Sequence, residues 1–518
     1  MPRNRPSAGQ HLRNVFANWG AFFLSAVAGL FISPFIVRSL GTESFGLWTI
    51  IGSLTGSLGI FDLGLRSATV RFISRDHARG DHAAASHKAG QIRSLFGIAA
   101  VLALITGGIL VLRLEHAFNL PAELVRPGQI AMALTVVSFA LSLENSVTGG
   151  IMMAMERLDL LGTADIAYGL IRIVLILVVL GKGGGLLGLA SIGFVLTVTR
   201  YGVNQWLARK TYPELDLRHR MPRWKDTRSI FDVSIFSTVI YTSSTLAAQA
   251  GALIVGAMLP LSSAAQYGVG TTLPGYANSL NRPIAQSVHP RASRLDAEDD
   301  IAGLRSVILN TGRLSALVLL PMVLAFLIRG STFIEIWQGG EFRGPAGALL
   351  GILSIDIVFA GPRHVIQATF IGSGRHRVLG VWYVASALLR IAATAGLVYL
   401  MGLEGAGWAV VIPGILMAVL IMPALCRKYY GMKRLDMIWQ IWLRPILAML
   451  PFAAALWAME EWVPTRGYAS FFSQIALAMP IALISGALFG LTRKERELGL
   501  GMIKSRIAAL RGNHVGIA

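Results

Sequence analysis

Apolar positions along the chain come in blocks of about 20 residues, the length a helix needs to cross a hydrocarbon core of about 30 Å. The blocks run from Asn14 to Val37, Ser44 to Arg66, Leu95 to Leu112, Gln129 to Met153, Thr163 to Leu180 and Leu186 to Leu207. After a polar interval they resume at Ile235 to Met258, Ala264 to Val288, Leu314 to Trp337, Ala346 to Ile371, Val378 to Leu400 and Ala406 to Leu425. Ile441 to Met459 and Phe472 to Leu491 close the series. This pattern predicts an all-α polytopic membrane protein of about 14 transmembrane helices. The eighth block is the most polar, holding Tyr267, Tyr276, Asn278, Asn281, Arg282 and Gln286. As a span it must face other helices or water.

Composition sharpens this picture. Of 518 residues, 54% are hydrophobic and only 14% charged, which excludes an ordinary soluble enzyme. The formal charge is +19 while the mean hydropathy is +0.61, so the basic balance does not signal a disordered or nucleic-acid-binding chain. Attraction to an anionic inner leaflet accounts for it, and no nucleic acid partner is expected. With the amino terminus inside, about 32 Lys and Arg fall in inner segments, about 6 in outer loops and about 8 within spans, a strong positive-inside bias. Inner segments include Arg71, Arg75, Arg79, Lys88 and Arg93, the run Arg209 to Arg228, and Arg493 to Arg511. Both termini are therefore expected in the cytoplasm of a multi-pass membrane protein. The first apolar block is too long for a signal-peptide core and reads as a retained helix.

Little chemistry is available outside the spans. The outer loops are short, and no inner loop carries a phosphate-cradling Gly-x-x-x-x-Gly-Lys-Ser/Thr; the run Gly181 to Gly185 lacks its spacing and hydroxyl. Transport driven by ATP bound to this chain is excluded. The ten histidines do not cluster as ligands, no His-Glu-x-x-His or Gly-x-Ser-x-Gly occurs, and Cys426 is the single cysteine. Neither an enzyme nor a metal or cofactor site is expected.

The informative feature is an internal repeat at an offset of 218 to 222 residues. Leu170, Ile171, Arg172 and Ile173 match Leu388, Leu389, Arg390 and Ile391. Val147, Arg157 and Gly162 match Val365, Arg375 and Gly380, and Phe45 and Gly46 match Tyr267 and Gly268. Ser74, Arg75, Ala78 and Asp81 match Ser293, Arg294, Ala297 and Asp300. An even number of spans between copies gives them the same orientation, so two six-helix lobes are expected to face a central cleft and open it alternately. The predicted parts are an amino-terminal lobe (1–208), a connecting loop (209–234), a carboxyl-terminal lobe (235–425), two further helices (426–491) and a cytoplasmic amphipathic tail (492–518).

Several motifs resemble one family. Leu40, Gly41, Thr42, Glu43, Ser44, Phe45, Gly46, Leu47 and Trp48, and the run Asp62 to Arg71 continuing to Arg79, Gly80 and Asp81, look like the start of polysaccharide transporters. Pro290 to Arg294 and Gly402 to Ala406 fit the same pattern. These are O-antigen-type flippases of the multidrug/oligosaccharidyl-lipid/polysaccharide (MOP) exporter superfamily. The resemblance implies a carrier that moves an undecaprenyl-pyrophosphate-linked oligosaccharide from the inner to the outer leaflet. It also implies as partners the lipid-linked glycan, membrane lipids, and the polymerase and glycosyltransferases of the same pathway.

Such a cargo needs a wet, cationic passage. Each sugar hydroxyl left unpaired in hydrocarbon costs on the order of 2 to 7 kcal/mol. Pyrophosphate suits the planar, paired donors of arginine. Arg172 and Arg390 lie mid-span and are the first candidates for head-group contact; Arg282 and Arg363, nearer the inner ends of their spans, are the second. The bland alternative pairs Arg172 with Asp165 or Glu144, and Arg390 with Asp356. Glu144 and Asp356 are the candidates for proton coupling, because a buried carboxylate can take up and release H+ as its exposure changes. Asp62 and Arg66 read as an ordinary helical ion pair. Ser237, Thr238, Tyr241, Thr242, Ser243, Ser244, Thr245 and Gln249 give the seventh helix polar groups suited to sugars or to close packing. Two related transporters compete: a lipid II flippase, and a multidrug and toxin extrusion antiporter, a family that typically places an acid in its first helix where this chain has none. A non-transporting scaffold of a glycan assembly complex is the third alternative.

Overall fold

The computed structural model describes residues 29–62, 64–222, 224–493 and 495–497, and the side chains of these except 224–237, 282 and 286. All regular structure among them is helical. The helices are α1 (Gly29–Leu40), α2 (Thr42–Ser57, tightening to a 3-10 turn to Asp62), α3 (Leu65–Ala78), α4 (His82–Phe118), α5 (Ala122–Ala154), α6 (Leu158–Gly181) and α7 (Gly185–Thr211). Next come α8 (Trp224–Met258), α9 (Leu261–Ala297), α10 (Ile301–Gln338), the single turn α11 (Gly340–Arg343), α12 (Pro345–Gly372) and α13 (His376–Met401). The last stretch comprises α14 (Leu403–Ile415), α15 (Met422–Tyr430), α16 (Arg434–Ile438), α17 (Arg444–Ala448), α18 (Leu450–Trp462) and α19 (Tyr468–Ser485).

Among the described residues 12 helical stretches are long and apolar enough to cross a membrane, and α1 adds a shorter apolar helix. The polar eighth block is also one continuous helix, α9, despite Pro274, Pro283 and Pro290. The chain is a multi-pass membrane protein. Four helices far exceed one bilayer: α8 has 35 residues, α4 and α9 have 37 each and α10 has 38, about 53 to 57 Å at 1.5 Å per residue. Each is longer than the hydrocarbon can cover, and the early turns of α4 and α10 carry charged residues, Lys88 and Arg93 in the first and Arg305 in the second.

Late in the chain, α14 and α15 join through a wide π turn (Leu416–Ile421), and α16 and α17 through another (Trp439–Leu443). Each is followed within two residues by a proline, Pro423 or Pro445. A proline has no N–H to donate and its ring crowds the preceding turn, and the wider turn absorbs both defects without ending the helix.

The repeat is visible in the backbone. Left-handed residues recur 218 or 219 positions apart, as Gly80 and Asp299, Glu156 and Gly374, and Gly183 and Gly402. Asp81 caps α4 by accepting from the Ala84 N–H at 2.8 Å, and Asp300 caps α10 by accepting from the Gly303 N–H at 2.7 Å. Ser74 donates to the Ala154 carbonyl at 3.4 Å, and its counterpart Ser293 to the Gly372 carbonyl at 2.9 Å.

By Cα packing the chain forms two compact units. One comprises the described residues up to Gly268 together with Gly380–Ala406; the other comprises Val269–Leu379 and the described residues from Gly407 onward. The sequence reading divides the chain within 209–234, whereas packing assigns α8 and α13 to the first unit.

Candidate functional site

Within the second unit, Asp356 and Arg363 are two turns apart on one face of α12. Arg363 Nη1 donates to Asp356 Oδ1 at 2.9 Å and Nη2 to Oδ2 at 3.1 Å, a paired fork. Nη1 also donates to the Gly414 carbonyl at 2.7 Å. A β-carbon at Gly414 would sit 2.0 Å from Asp356 Oδ1, so only glycine lets α14 approach the pair. Beside it, the buried Asn281 of α9 donates to the Gly361 carbonyl at 3.0 Å and accepts from Ser315 Oγ at 2.6 Å, tying α9, α10 and α12 together. The pairing of Asp356 with Arg390 considered from sequence is thereby corrected: its partner is Arg363, on its own helix.

In the first unit, Glu144 of α5 receives Arg93 Nε from α4 at 3.4 Å. Arg93 also donates to the Leu217 carbonyl at 2.7 Å and to the Tyr201 hydroxyl at 3.2 Å. Asp165 is ion-paired with Arg200, whose guanidinium lies 5.8 Å from the Tyr168 ring centre. Both acids considered as partners of Arg172 are thus held by other arginines.

Arg172 is exposed on α6, and Arg390 is half-buried on α13 within electrostatic range of the buried Tyr267. Both helices belong to the first unit. The Arg282 side chain, Ser237 and the amphipathic tail from 498 lie outside the described side chains and residues. Asp62 and Arg66 are not a turn apart on one helix. Asp62 closes the 3-10 turn after α2, Gly64 is left-handed, and Arg66 lies in α3; Asp62 Oδ1 is buried without a hydrogen bond. On α8, Ser244 bonds back to the Ile240 carbonyl at 2.8 Å, the packing alternative for that hydroxyl.

Two features escaped the sequence reading. Arg313 and Arg329 of α10 are 0% exposed. Arg313 is ion-paired with Glu495, and Arg329 Nε with Glu460 of α18 at 2.7 Å, while Arg329 Nη2 donates to Thr465 at 2.7 Å. These bonds pin the last helices to α10. The signal was present, since Arg329 lies within an apolar block and Glu460 at the end of another, but nothing in the chain states that those blocks are neighbours.

The second feature is the segment 212–222, which folds back over α4. Leu215 and Leu217 are buried in the core of α3, α4 and α5, each gaining about 2 kcal/mol relative to exposure. The Asp216 N–H donates to Ser86 Oγ at 3.0 Å, and the Arg220 N–H to the Gly90 carbonyl at 3.3 Å. The Arg218 N–H and Arg220 side chain together hold the Asp216 carboxyl below the usual carboxylate range. Burial, followed by Glu214, Asp76 and Asp81, pushes the Tyr212 hydroxyl above the ordinary phenol value.

Long helices in two repeats, with arginine–carboxylate pairs along apolar lengths, define a multi-pass helical membrane protein, and its fold is shared with solved structures of the MOP superfamily. A solved structure of the lipid II flippase MurJ in an inward closed conformation matches with a TM-score of 0.70 at 12% identity, covering 92% of this chain and 98% of that one. An inward-facing multidrug resistance MATE family transporter of the MOP superfamily matches with a TM-score of 0.68 at 17% identity, covering 79% and 94%. The chain belongs to the polysaccharide biosynthesis protein family, whose sequence profile matches residues 11–296. It is similar to the uncharacterized membrane protein EpsK of Bacillus subtilis, 23% identical over 454 residues covering 86% of this chain and 88% of EpsK. It is also similar to the probable low-salt glycan biosynthesis flippase Agl15 of Haloferax volcanii, 22% identical over 354 residues, 66% of each.

Proposed function

We propose that this protein flips an undecaprenyl-pyrophosphate-linked oligosaccharide from the cytoplasmic to the periplasmic leaflet, by alternating access, coupled to an ion and without ATP. The observation that carries the reading is the Asp356–Arg363 fork on α12. Its two parallel donors already hold two carboxylate oxygens at 2.9 and 3.1 Å, the geometry in which a guanidinium also takes phosphate oxygens. Protonation of Asp356 releases the fork for the pyrophosphate, and loss of the proton reclaims it. Glu144 and Arg93 offer the same exchange in the first unit. One proton moved through 100 mV supplies about 2.3 kcal/mol, a bias on the cycle rather than its whole drive. In this reading Arg172 and Arg390 contact the head group mid-membrane, and Arg282 and Arg363 receive it at the inner side.

The test is export of a labelled lipid-linked glycan in cells lacking their own flippase. Arg172→Ala and Arg390→Ala should each lower export, and Asp356→Asn should abolish its dependence on the proton gradient. Unchanged export in both arginine variants removes the head-group contacts, and unchanged gradient dependence removes Asp356 from coupling. The match to MurJ supports a second reading, a lipid II-type cargo, which replacement of an essential lipid II flippase by this chain would favour. A cationic-drug antiporter is the weaker reading, because residues 14–40 contain no acid.

A further inference from the structure

We infer that the chain holds an acidic phospholipid of the surrounding membrane between α16–α17 and the end of α19, as a resident lipid and not as cargo. The site is a cavity of about 350 Å³ lined by Trp439, Arg444, Leu447, Ala448 and Phe489. Arg444 is fixed at its edge, with Nε donating to the Phe489 carbonyl at 2.8 Å and Nη2 to the Leu491 carbonyl at 2.7 Å. Those carbonyls end the π turn that closes α19 and need a donor.

The charges around Arg444 do not balance. Arg313, Glu495 and Arg496 lie in electrostatic range of it, so three guanidinium groups share one carboxylate. That carboxylate is already occupied: Glu495 takes Arg313 Nη2 on one oxygen, and the Thr492 N–H and hydroxyl, both at 2.7 Å, on the other. Burial raises its proton affinity, but these donors outweigh burial and hold Glu495 below the usual carboxylate range. Meanwhile Arg313 Nε and Arg496 Nε are buried donors without a hydrogen-bond acceptor. Buried, unpaired, charged donors are costly, and the uncompensated positive charge they leave beside the cavity favours a ligand that brings negative oxygens to Arg444 at its edge.

The apolar side specifies the rest of the ligand. Trp439, Leu447 and Phe489 leave about half of their surface exposed beside the arginines, which suits acyl chains lying along them with the head group at the cations. Phosphate joined to acyl chains is the chemistry of an acidic phospholipid, and basic pockets between membrane helices are suited to such head groups. The cation distribution of the sequence puts this end of the helices at the cytoplasmic leaflet. The lipid would brace α10 against the last helices, independently of what the protein carries.

The test uses the purified full chain, stripped of lipid in detergent, and then supplied with phosphatidylglycerol, phosphatidylcholine, polyprenyl phosphate or inorganic phosphate. Retained lipid is counted by native mass spectrometry, with Tm measured alongside. Phosphatidylglycerol should raise Tm by about 3 °C or more over phosphatidylcholine. Arg496→Gln and Leu447→Trp should lower its retention about tenfold. Both variants leave the Arg444 bonds to α19 intact, so their folding is not at stake as it is in Arg444→Gln. Equal effects of the two phospholipids overturn the inference, as does undiminished retention in both variants. A full effect from inorganic phosphate reduces the site to an anion site, and preference for polyprenyl phosphate assigns it to the cargo; either result overturns a resident phospholipid.

Discussion

The two halves solve one structural problem with different chemistry. Tyr212 and Tyr430 are repeat equivalents, both buried, at the ends of α7 and α15. In the first half the Tyr212 hydroxyl meets His82 Nδ1 at 2.7 Å, and the His77 ring packs edge-on at 4.9 Å. In the second half the Tyr430 hydroxyl meets Ser373 Oγ at 2.7 Å, and Arg375, ion-paired with Asp296 at 2.7 Å, lies 5.3 Å from the ring centre. After Tyr212 the chain returns over α4 as a strap; after Tyr430 it turns at Gly431 into the helices held by Arg313 and Arg329. A repeat thus preserves the turns and caps that set helix direction, while the groups filling each junction diverge with what the following segment does.

The largest expected effect lies in the second half alone. Glu460→Gln leaves the Arg329 guanidinium buried without its counter-ion and should cost about 3 kcal/mol of stability, read as a fall in Tm. A loss under 1 kcal/mol would show that Thr465 and the Phe471 ring, whose centre lies 5.1 Å from the Arg329 guanidinium, suffice to hold Arg329.

The next effect is confined to the first half. A β-carbon at Gly90 would lie 2.5 Å from the Arg218 carbonyl, so Gly90→Ala should lift the strap at a cost of about 2 kcal/mol and expose residues 212–222 to protease. Cleavage no faster than in the wild type would show that the strap is not held there.

Smaller and symmetric effects are expected from the caps. Asp81→Ala and Asp300→Ala should each cost about 1 kcal/mol, and a difference above twofold between them in unfolding free energy would break the equivalence of the halves.

The smallest effect is alkaline. Because the folded Tyr212 hydroxyl titrates above its unfolded value near 10, its contribution is complete below pH 10 and fades as pH rises through the folded value. Tyr212→Phe should therefore flatten the loss of Tm above about pH 10. An unchanged alkaline slope would place that loss on other groups.

The sequence also made the spans and the offset of the repeat legible, because burial in lipid imposes a length and a composition that can be counted. The 3-10 end of α2 at Asp62 was not legible, since an i, i+4 spacing reads as one helix until the left-handed Gly64 interrupts it. The intramembrane arginines were legible as costly residues that need partners. Their partners were not. Hydrophobic periodicity states which face of a helix is apolar but not which helix lies against it, and every buried guanidinium had several acids within reach of some arrangement.

By itself, then, the sequence determined that this is a helical membrane protein with two related halves and guanidinium groups that must be compensated within them. The tertiary structure alone decided that Asp356 answers Arg363, Glu144 answers Arg93, Glu460 answers Arg329 and Glu495 answers Arg313. Charge pairing falls steeply with distance in a low dielectric, so a rotation or shift of one helix by a single turn exchanges the partners while leaving the sequence pattern unchanged.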